Sequence, residues 1–430
     1  MDEDPKDLNG HIRDLHRDQF LESGRGRLWG ERESEQFFYR PGEILVRASD
    51  GLLADVRGSI ESLLEGECVG TGQFAFDREL ALLRFTERPG REAPVIAAEL
   101  RKRFPNLVIS PNHIVFSEQR VSGCPYDFPT PAPGGSMRDG KGSEAGAGVM
   151  IAVLDTGATN IPQLRAVYPT IPASDLEVVD SDHDGRLDWA AGHGNFIAGI
   201  CARIAPGAQV VPMRFLGTFG DAPTSRMLKV VDRAIRLAAE HKCALVLNLS
   251  FGTLVGPNDE LPLLASSLDQ RLARAAHEGV DVIAVCAAGN APFRQPMWPA
   301  ALESPRVLGV AALDVDDPAT PAKWSNSGKW VDLCAVGQQD STFLVAPGAH
   351  LQGHDKLSGL IDTPVDFDGW ARWTGTSFAV PQVAATLAVL HAEARNSGTP
   401  ISLIDAAKKL IGAGAPLVVG GDNYGVPVTV

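Results

Sequence analysis

Apolar residues change their spacing along the chain, and these changes predict two successive folding units. In the first unit, the apolar run at residues 43–48 predicts a strand, and the apolar positions from Leu52 to Leu64 have helical spacing. The same reasoning predicts two strands, a helix and a last extended segment at residues 68–76, 80–85, 95–104 and 107–116. The order β-α-β-β-α-β is that of a small α+β, ferredoxin-like domain.

The second unit consists of continuous apolar runs separated by helical patterns. The run from Val149 to Leu154 is of the kind that is buried in a parallel sheet. Similar runs lie at residues 209–213, 244–250, 280–287 and 307–313, and helical patterns lie at 226–241 and 263–278. This alternation predicts an α/β fold with a doubly wound, mostly parallel sheet.

A Pro- and Gly-rich stretch at residues 118–147 separates the two units. Such a composition is typical of a surface linker that proteases can reach. We therefore predict four parts. They are a charged N-terminal arm at 1–41, the α+β domain at 42–117, the linker and candidate processing region at 118–147, and the α/β domain at 148–430.

Composition and charge narrow the classes of function. The chain has 430 residues, of which 44% are hydrophobic, and a formal net charge of −14 at pH 7. The acidic surplus argues against nucleic acid and anionic membranes as partners, because both attract basic surfaces. The polar start lacks the regions of a signal peptide, and no apolar run approaches a membrane span. We therefore expect a cytoplasmic protein whose six scattered cysteines are reduced thiols rather than a disulfide framework.

Four polar residues stand where predicted elements begin or end. Asp155 and Asn290 each follow a predicted strand, whereas His193 begins a small-residue helix between two glycines. Ser377 begins another apolar helix, directly after Gly375-Thr376. Sites in open α/β sheets lie at the carboxyl ends of strands, and a helix N-terminus favours developing negative charge. The order Asp, His, Ser along the chain is one known order of a nucleophilic triad.

These motifs resemble those of the subtilisin-like serine peptidases, the subtilases, over roughly residues 148–420. The matching motifs are Asp155-Thr156-Gly157, Gly192-His193-Gly194, Ala288-Gly289-Asn290 and Gly375-Thr376-Ser377. The family usually has Thr-His-Val shortly after the histidine and Met-Ala-Ser-Pro-His after the serine. This chain has Asn-Phe-Ile and Phe-Ala-Val-Pro-Gln at those places, and neither change removes a triad group.

The resemblance implies a serine endopeptidase that forms an acyl-enzyme and requires no cofactor for its chemistry. It assigns the nucleophile to Ser377, the general base to His193 and the orienting carboxylate to Asp155. The amide of Asn290 and the backbone N–H of Ser377 would hold the oxyanion. A protein or peptide substrate would add as a strand along Ser250-Phe251-Gly252.

The N-terminal α+β domain, with its segment Pro111-Asn112-His113-Ile114, resembles an inhibitory propeptide of the same family. This resemblance implies a zymogen in which the chain's own N-terminal domain is an intramolecular inhibitor, with autoprocessing in the linker. The alternative is an unrelated docking domain.

An acidic stretch precedes His193. Asp180, Asp182 and Asp184, followed by Gly185, resemble the start of a calcium loop. The bidentate glutamate of such a loop is missing, because Ala191 stands at its place. The alternative, which we favour, is an acidic solvated turn, so calcium is an open expectation rather than a requirement.

The sequence therefore favours a two-domain subtilase that is a serine endopeptidase. Two other hypotheses remain. One is a catalytically silent subtilase-fold module that binds peptides or a partner protein. The other is a processing protease that a partner activates through the N-terminal domain.

Overall fold

The computed structural model describes residues 17–30, 36–74, 77–117, 128–135, 142–165, 167–168, 170–255, 263–352 and 363–429. The predicted linker lies largely outside these residues, so its role as a processing region stays a prediction. The helices are α1 (Asp50–Leu64), α2 (Ala93–Arg103), α3 (His193–Ile204), α4 (Thr224–His241), α5 (Leu263–His277), α6 (Thr376–Asn396) and α7 (Leu403–Ile411).

The strands of the described residues lie in four sheets. They are β1 (Arg27–Trp29), β2 (Phe37–Arg47), β3 (Cys68–Phe74), β4 (Asp77–Phe85), β5 (Val108–Ser117), β6 (Thr130–Pro131), β7 (Val149–Asp155), β8 (Gln209–Arg214), β9 (Asp221–Pro223), β10 (Ala244–Leu249), β11 (Phe251–Gly252), β12 (Val282–Ala287), β13 (Val307–Leu313), β14 (Leu333–Val336), β15 (Gln338–Ala349), β16 (Val365–Thr374), β17 (Val418–Val419), β18 (Asp422–Asn423) and β19 (Val426–Pro427).

The central sheet is parallel and has the order β19-β14-β13-β12-β10-β7-β8. Alternate side chains of β7 enter two different cores. Val149 and Val153 pack with α3 and α6 on one face, and Met150 and Leu154 pack with α4 and α5 on the other. Because helices cover both faces, the strands are apolar throughout, and this is why the sequence pattern predicted them.

The N-terminal sheet is antiparallel, with the order β11-β5-β2-β4-β3. Numbering the strands β2 to β5 as one to four, the order is 4-1-3-2, which agrees with the predicted ferredoxin-like pattern. On one face, side chains of the sheet pack in a common core with residues of α1 and α2 such as Ile60 and Ile96. The predicted fold class is confirmed, whereas the exact domain boundaries stay predictions.

The other face of the N-terminal sheet packs directly on the peptide chain that follows it. Leu45, Leu82 and Val115 belong to the same apolar core as Met227 of α4 and Leu268 of α5. The two units therefore share one core.

An ion-pair network crosses the same boundary; it is buried at Arg271 and partly buried at Asp77 and Arg47. Arg271 of α5 donates from Nε to Asp232 Oδ1 at 2.7 Å, and its Nη1 lies 3.7 Å from Asp77 Oδ2 of the N-terminal sheet. Arg47 donates to the same Asp77 oxygen at 2.7 Å. A buried cation that is deprived of its partners is strongly destabilising, so this network favours the docked arrangement.

The structure also contains a long hairpin that the sequence analysis did not predict. Strands β15 and β16 pair antiparallel and form a three-stranded sheet with β6. Register shifts between Thr342 and Val345 and between Ala346 and Ala349 interrupt the regular alternation of the hairpin. Its buried side chains pack against the start of α3.

The five cysteines of the described residues are free thiols, and four of them are buried, as expected. Among these residues, no helix is both long enough and apolar enough to cross a membrane.

Candidate active site

Asp155 and His193 meet where α3 begins beside the carboxyl end of β7. A Cβ on Gly194 would overlap the carbonyl oxygen of Gly157, so this close approach requires glycine at position 194. His193 Nδ1 lies 2.8 Å from Asp155 Oδ1, and the two side chains are 1% and 0% exposed. The backbone N–H of Thr156 donates to the same carboxylate oxygen at 2.7 Å. A carboxylate at Nδ1 orients the ring and leaves Nε2 for proton transfer.

Ser377 lies in the first turn of α6, next to a residue whose ring contacts the imidazole. The His193 ring contacts the rings of Trp373 and Phe378, with centroid distances of 5.5 and 5.4 Å. Ser250 donates from its hydroxyl to the Ser377 carbonyl oxygen at 2.9 Å, which ties the end of β10 to the helix start. Among the described residues, no hydrogen bond joins Ser377 Oγ to His193 Nε2. In unliganded active sites this bond is often long and tightens only with substrate.

Asn290 follows β12 and is held against the same helix start. Its Oδ1 accepts both the backbone N–H and the hydroxyl of Thr376, each at 2.8 Å. These two donors settle the orientation of the amide, because only its oxygen can accept them. The Nδ2 group therefore lies beside Gly375, where a Cβ would be 3.5 Å from it. An amide donor is thus positioned beside Gly375, two residues before Ser377.

The predicted substrate strand is already paired in this structure. Phe251 and Gly252 lie opposite Ser117 and Phe116 at the end of β5. On the other side of β5, residues 114–116 pair antiparallel with β9. Strand β5 of the N-terminal sheet therefore lies between β9 and β11.

Glu177 is a buried carboxyl group that the sequence analysis missed. Its Oε1 accepts the backbone N–H of Gly192 at 2.9 Å, whereas its Oε2 is buried without a hydrogen-bond partner among the described residues. Burial raises the pKa of Glu177 from its ordinary value of 4.5 to about 8. No motif marked Glu177, because its partners lie 15 or more residues away in the chain.

The acidic stretch forms a cluster with a different membership from the predicted one. Carboxylate oxygens of Asp180, Asp182 and Asp188 all lie within 4.8 Å of one another. Asp184 is not in this group, and its Oδ1 instead accepts the N–H of Arg186 at 2.9 Å. Asp188 was missed because spacing within a loop does not determine which side chains converge.

The subtilase family model matches residues 146–411, and the chain belongs to that family. The chain is 28% identical over 281 residues to thermitase of Thermoactinomyces vulgaris. This alignment covers 63% of the chain and 84% of thermitase. It is also 28% identical over 268 residues to a thermophilic serine proteinase of Bacillus sp. strain AK1. This second alignment covers 59% of the chain and 55% of that protein. This chain thus spans about half the length of the Bacillus relative.

Among solved structures, the crystal structure of fervidolysin from Fervidobacterium pennivorans, a keratinolytic enzyme related to subtilisin, has a similar fold. The TM-score is 0.56 at 20% sequence identity, over 94% of this chain and 62% of that chain. The expected class, a subtilisin-like serine peptidase, is therefore confirmed at the level of the family.

The contacts of Asn290 generate a prediction about stability. Replacing Asn290 by Leu leaves the buried N–H and hydroxyl of Thr376 without their acceptor, which costs about 1–3 kcal/mol. Urea unfolding of Asn290→Leu in a Ser377→Ala background, which prevents autolysis, measures this loss. Asn396→Leu, at the exposed end of α6, is the control and should unfold at the parent midpoint. Equal midpoints for both variants would contradict the assigned contacts.

Proposed function

We propose that this chain is a serine endopeptidase that hydrolyses internal peptide bonds through an acyl-enzyme. The observation that carries the proposal is the buried hydrogen bond of 2.8 Å between His193 Nδ1 and Asp155 Oδ1, with Ser377 at the adjacent helix start. The family to which the chain belongs supports this assignment.

In this mechanism, Ser377 Oγ attacks the peptide carbonyl carbon while His193 Nε2 removes the hydroxyl proton. The same imidazole then protonates the leaving amine, and a water molecule repeats the attack on the acyl-enzyme. Asp155 holds the tautomer and stabilises the imidazolium that forms. The negative oxygen of the tetrahedral intermediate would accept from Asn290 Nδ2 and the backbone N–H of Ser377.

The substrate is an extended protein or peptide segment. The backbone of β11 at Phe251-Gly252 would pair with it as β5 pairs in this structure, and Ser250 holds this strand in place beside Ser377. Main-chain pairing of this kind depends little on side chains, so recognition rests mainly on extended conformation.

A catalytically silent module that binds peptides is the second candidate. The observation that favours it is the lack of a hydrogen bond between Ser377 and His193 among the described residues. Chemical reactivity of the serine separates the two candidates.

A fluorophosphonate probe reports whether Ser377 is activated, because it phosphonylates a serine that a neighbouring base deprotonates. We expect the probe to label the wild type covalently. In Ser377→Ala, labelling should be lost and kcat should fall about 10⁶-fold. Intact-mass spectrometry and hydrolysis of a quenched fluorescent peptide measure the two effects.

The exposed variant Ser397→Ala serves as the control and should label as the wild type does. Wild-type protein that neither labels nor hydrolyses peptides, with or without removal of its N-terminal domain by limited proteolysis, would favour the silent binding module.

We further propose that the N-terminal domain is an intramolecular inhibitor. Its strand β5 lies between β9 and β11, where an extended substrate would pair. The N–H of Ser117 donates to Gly220 O at 2.7 Å, and Thr253 donates to Ile114 O at 2.8 Å. A substrate strand cannot add to an edge that is already paired, so β5 and substrate compete.

A second contact supports the same role. Asn112 lies between the two units, and its Oδ1 accepts the N–H of Ser225 in the first turn of α4 at 3.1 Å. Its Nδ2 donates to the Ser225 hydroxyl at 3.0 Å and to Glu43 at 2.6 Å. The domain therefore caps the N-terminus of α4. This contact satisfies a backbone donor that the isolated peptidase unit would leave to water.

Ser117→Pro tests this inhibition because proline lacks the N–H that bonds to Gly220. We expect the docking of β5 to weaken by about 1–2 kcal/mol, which raises the initial rate of peptide hydrolysis about fivefold to thirtyfold. Ser117→Ala keeps the N–H and should match the wild type. Equal initial rates for the proline and alanine variants would favour the unrelated docking domain.

We also propose that Asp180, Asp182 and Asp188 hold a calcium ion. The donor set suits a hard cation, since it consists of carboxylate oxygens. Asp188 is 3% exposed, and its Oδ1 is buried with no hydrogen-bond partner among the described residues. Burial and the neighbouring carboxylates also raise the pKa of Asp182. A bound cation would give the buried Asp188 oxygen a partner and would reduce the repulsion among the carboxylates. It would also stabilise the loop that leads to His193.

Thermal unfolding of Ser377→Ala with calcium chloride or with a chelator tests the ion. A calcium concentration of 100 times Kd adds about 2.7 kcal/mol of stability, so we expect a Tm about 3 °C higher with calcium. Asp188→Asn should remove the difference, and Asp316→Asn in an exposed acidic turn should retain it. A Tm that is the same with calcium and with chelator would support the solvated turn instead.

A further inference from the structure

Glu177 is a buried carboxyl group that the proposed mechanism does not use. Its side chain is 9% exposed, and its backbone N–H donates to Ala158 O at 3.0 Å. The N–H of Ala158 donates to the carbonyl oxygen of Asp175, also at 3.0 Å. Glu177 is therefore attached by its backbone to the segment that directly follows Asp155-Thr156-Gly157.

The side chain of Glu177 reaches the other half of the site. Oε1 accepts the N–H of Gly192, the residue before His193, at 2.9 Å. On the other side of His193, the N–H of Gly194 donates to Thr156 Oγ1 at 3.1 Å. Glu177 and Thr156 together hold the backbone on both sides of His193.

A simple helix cap would be a purely structural explanation. Helix α3 has Gly192 at its N-cap, with φ of 81° and no side-chain cap of its own. Glu177 supplies an acceptor there, and its own backbone N–H donates to Ala158, three residues after Asp155. The contact thus connects the carboxylate-bearing strand end to the imidazole-bearing helix start, which a local cap does not do.

We propose that Glu177 is a positioning residue for the Asp155–His193 pair. It acts through Gly192 and Ala158, and it keeps the imidazole and the carboxylate at bonding distance while substrate binds. The inference rests on the proposed peptidase function and adds a residue to it.

The charges around Glu177 define a pH signature. The titratable or charged groups that face it are Asp155, Arg214 and Tyr168. Burial raises its pKa to about 8 and the charge of Asp155 adds to this rise, although the hydrogen bond from Gly192 and the charge of Arg214 oppose it. Below that pH the group is a neutral acid, and above it a second negative charge lies beside Asp155.

The pH dependence of stability follows from the protonation of Glu177 in the folded and unfolded chains. The unfolded chain releases this proton near pH 4.5, whereas the folded chain keeps it until about pH 8. The contribution of Glu177 is therefore fully present below pH 4.5 and is lost as the pH rises to about 8. A neutral replacement should remove that loss.

Two substitutions separate positioning from general stability. We expect Glu177→Ala to lower kcat on a peptide about 10- to 100-fold with KM changed less than about threefold, because the catalytic base is misplaced. Glu177→Gln keeps an acceptor for Gly192 N–H and is neutral. It should retain kcat within about threefold at pH 7. It should also lack the change in rate that the wild type shows between pH 7 and 9, and the fall in Tm that the wild type shows as the pH rises from 4.5 to about 8.

Glu240→Ala, on the exposed side of α4, is the matched control and should leave kcat, KM and the pH profile unchanged. A kcat for Glu177→Ala equal to the wild type overturns the proposal. So does a Glu177→Gln variant that is folded but as slow as the alanine variant, since rescue by the neutral analogue then fails.

A readout without turnover separates this inference from the proposed function. In the Ser377→Ala background, the downfield proton resonance of His193 Nδ1–H reports the bond to Asp155. We expect Glu177→Ala to shift or broaden it and Glu177→Gln to preserve it. An unchanged resonance in the alanine variant overturns the positioning role, whereas an inactive wild type with a perturbed resonance would overturn only the peptidase function.

Discussion

The buried bond between Asp155 and His193 is the constraint on which the rest of the site depends. A fully buried carboxylate is costly unless it is hydrogen-bonded, and here one oxygen accepts both the imidazole and the N–H of Thr156. The bond forms only because α3 begins almost in contact with the turn after β7. That approach requires glycine at position 194, so the chemistry and the local backbone are determined together.

The N-terminal unit is also fixed by packing, which involves both faces of its sheet. One face covers α1 and α2, and the other shares a core with α4 and α5. Its last strand continues into the cleft between β9 and β11. The unit is therefore part of the packing of the molecule as well as a candidate inhibitor, and removing it would expose apolar surface of two helices.

Much of this arrangement could be predicted from the sequence, because its signals are local. Strands buried on both faces are continuous apolar runs, and Asp155, His193 and Ser377 stand at the ends of such elements. Glu177 could not be predicted, since its meaning comes from a backbone N–H 15 residues away. Likewise, Asp188 joined the acidic cluster in place of Asp184 because loop geometry decides which carboxylates meet. The hairpin β15–β16 was missed because its bulges break the alternation on which strand prediction relies.

Under the proposed inhibition, cutting the chain after Ser117 is not by itself enough to open the cleft. A tethered domain has an effective concentration of about millimolar, and cutting the tether lowers this to micromolar, a change of about 4 kcal/mol. Each of Leu45, Leu82 and Val115 stabilises the docked state by about 1.5–3 kcal/mol through its burial, so these three side chains alone match or exceed that change. The network of Arg271, Asp232 and Asp77 adds to this, because undocking removes one partner of a buried cation. Destruction of the docked domain, rather than the cut, is therefore the step that would free the edge of β11 for substrate.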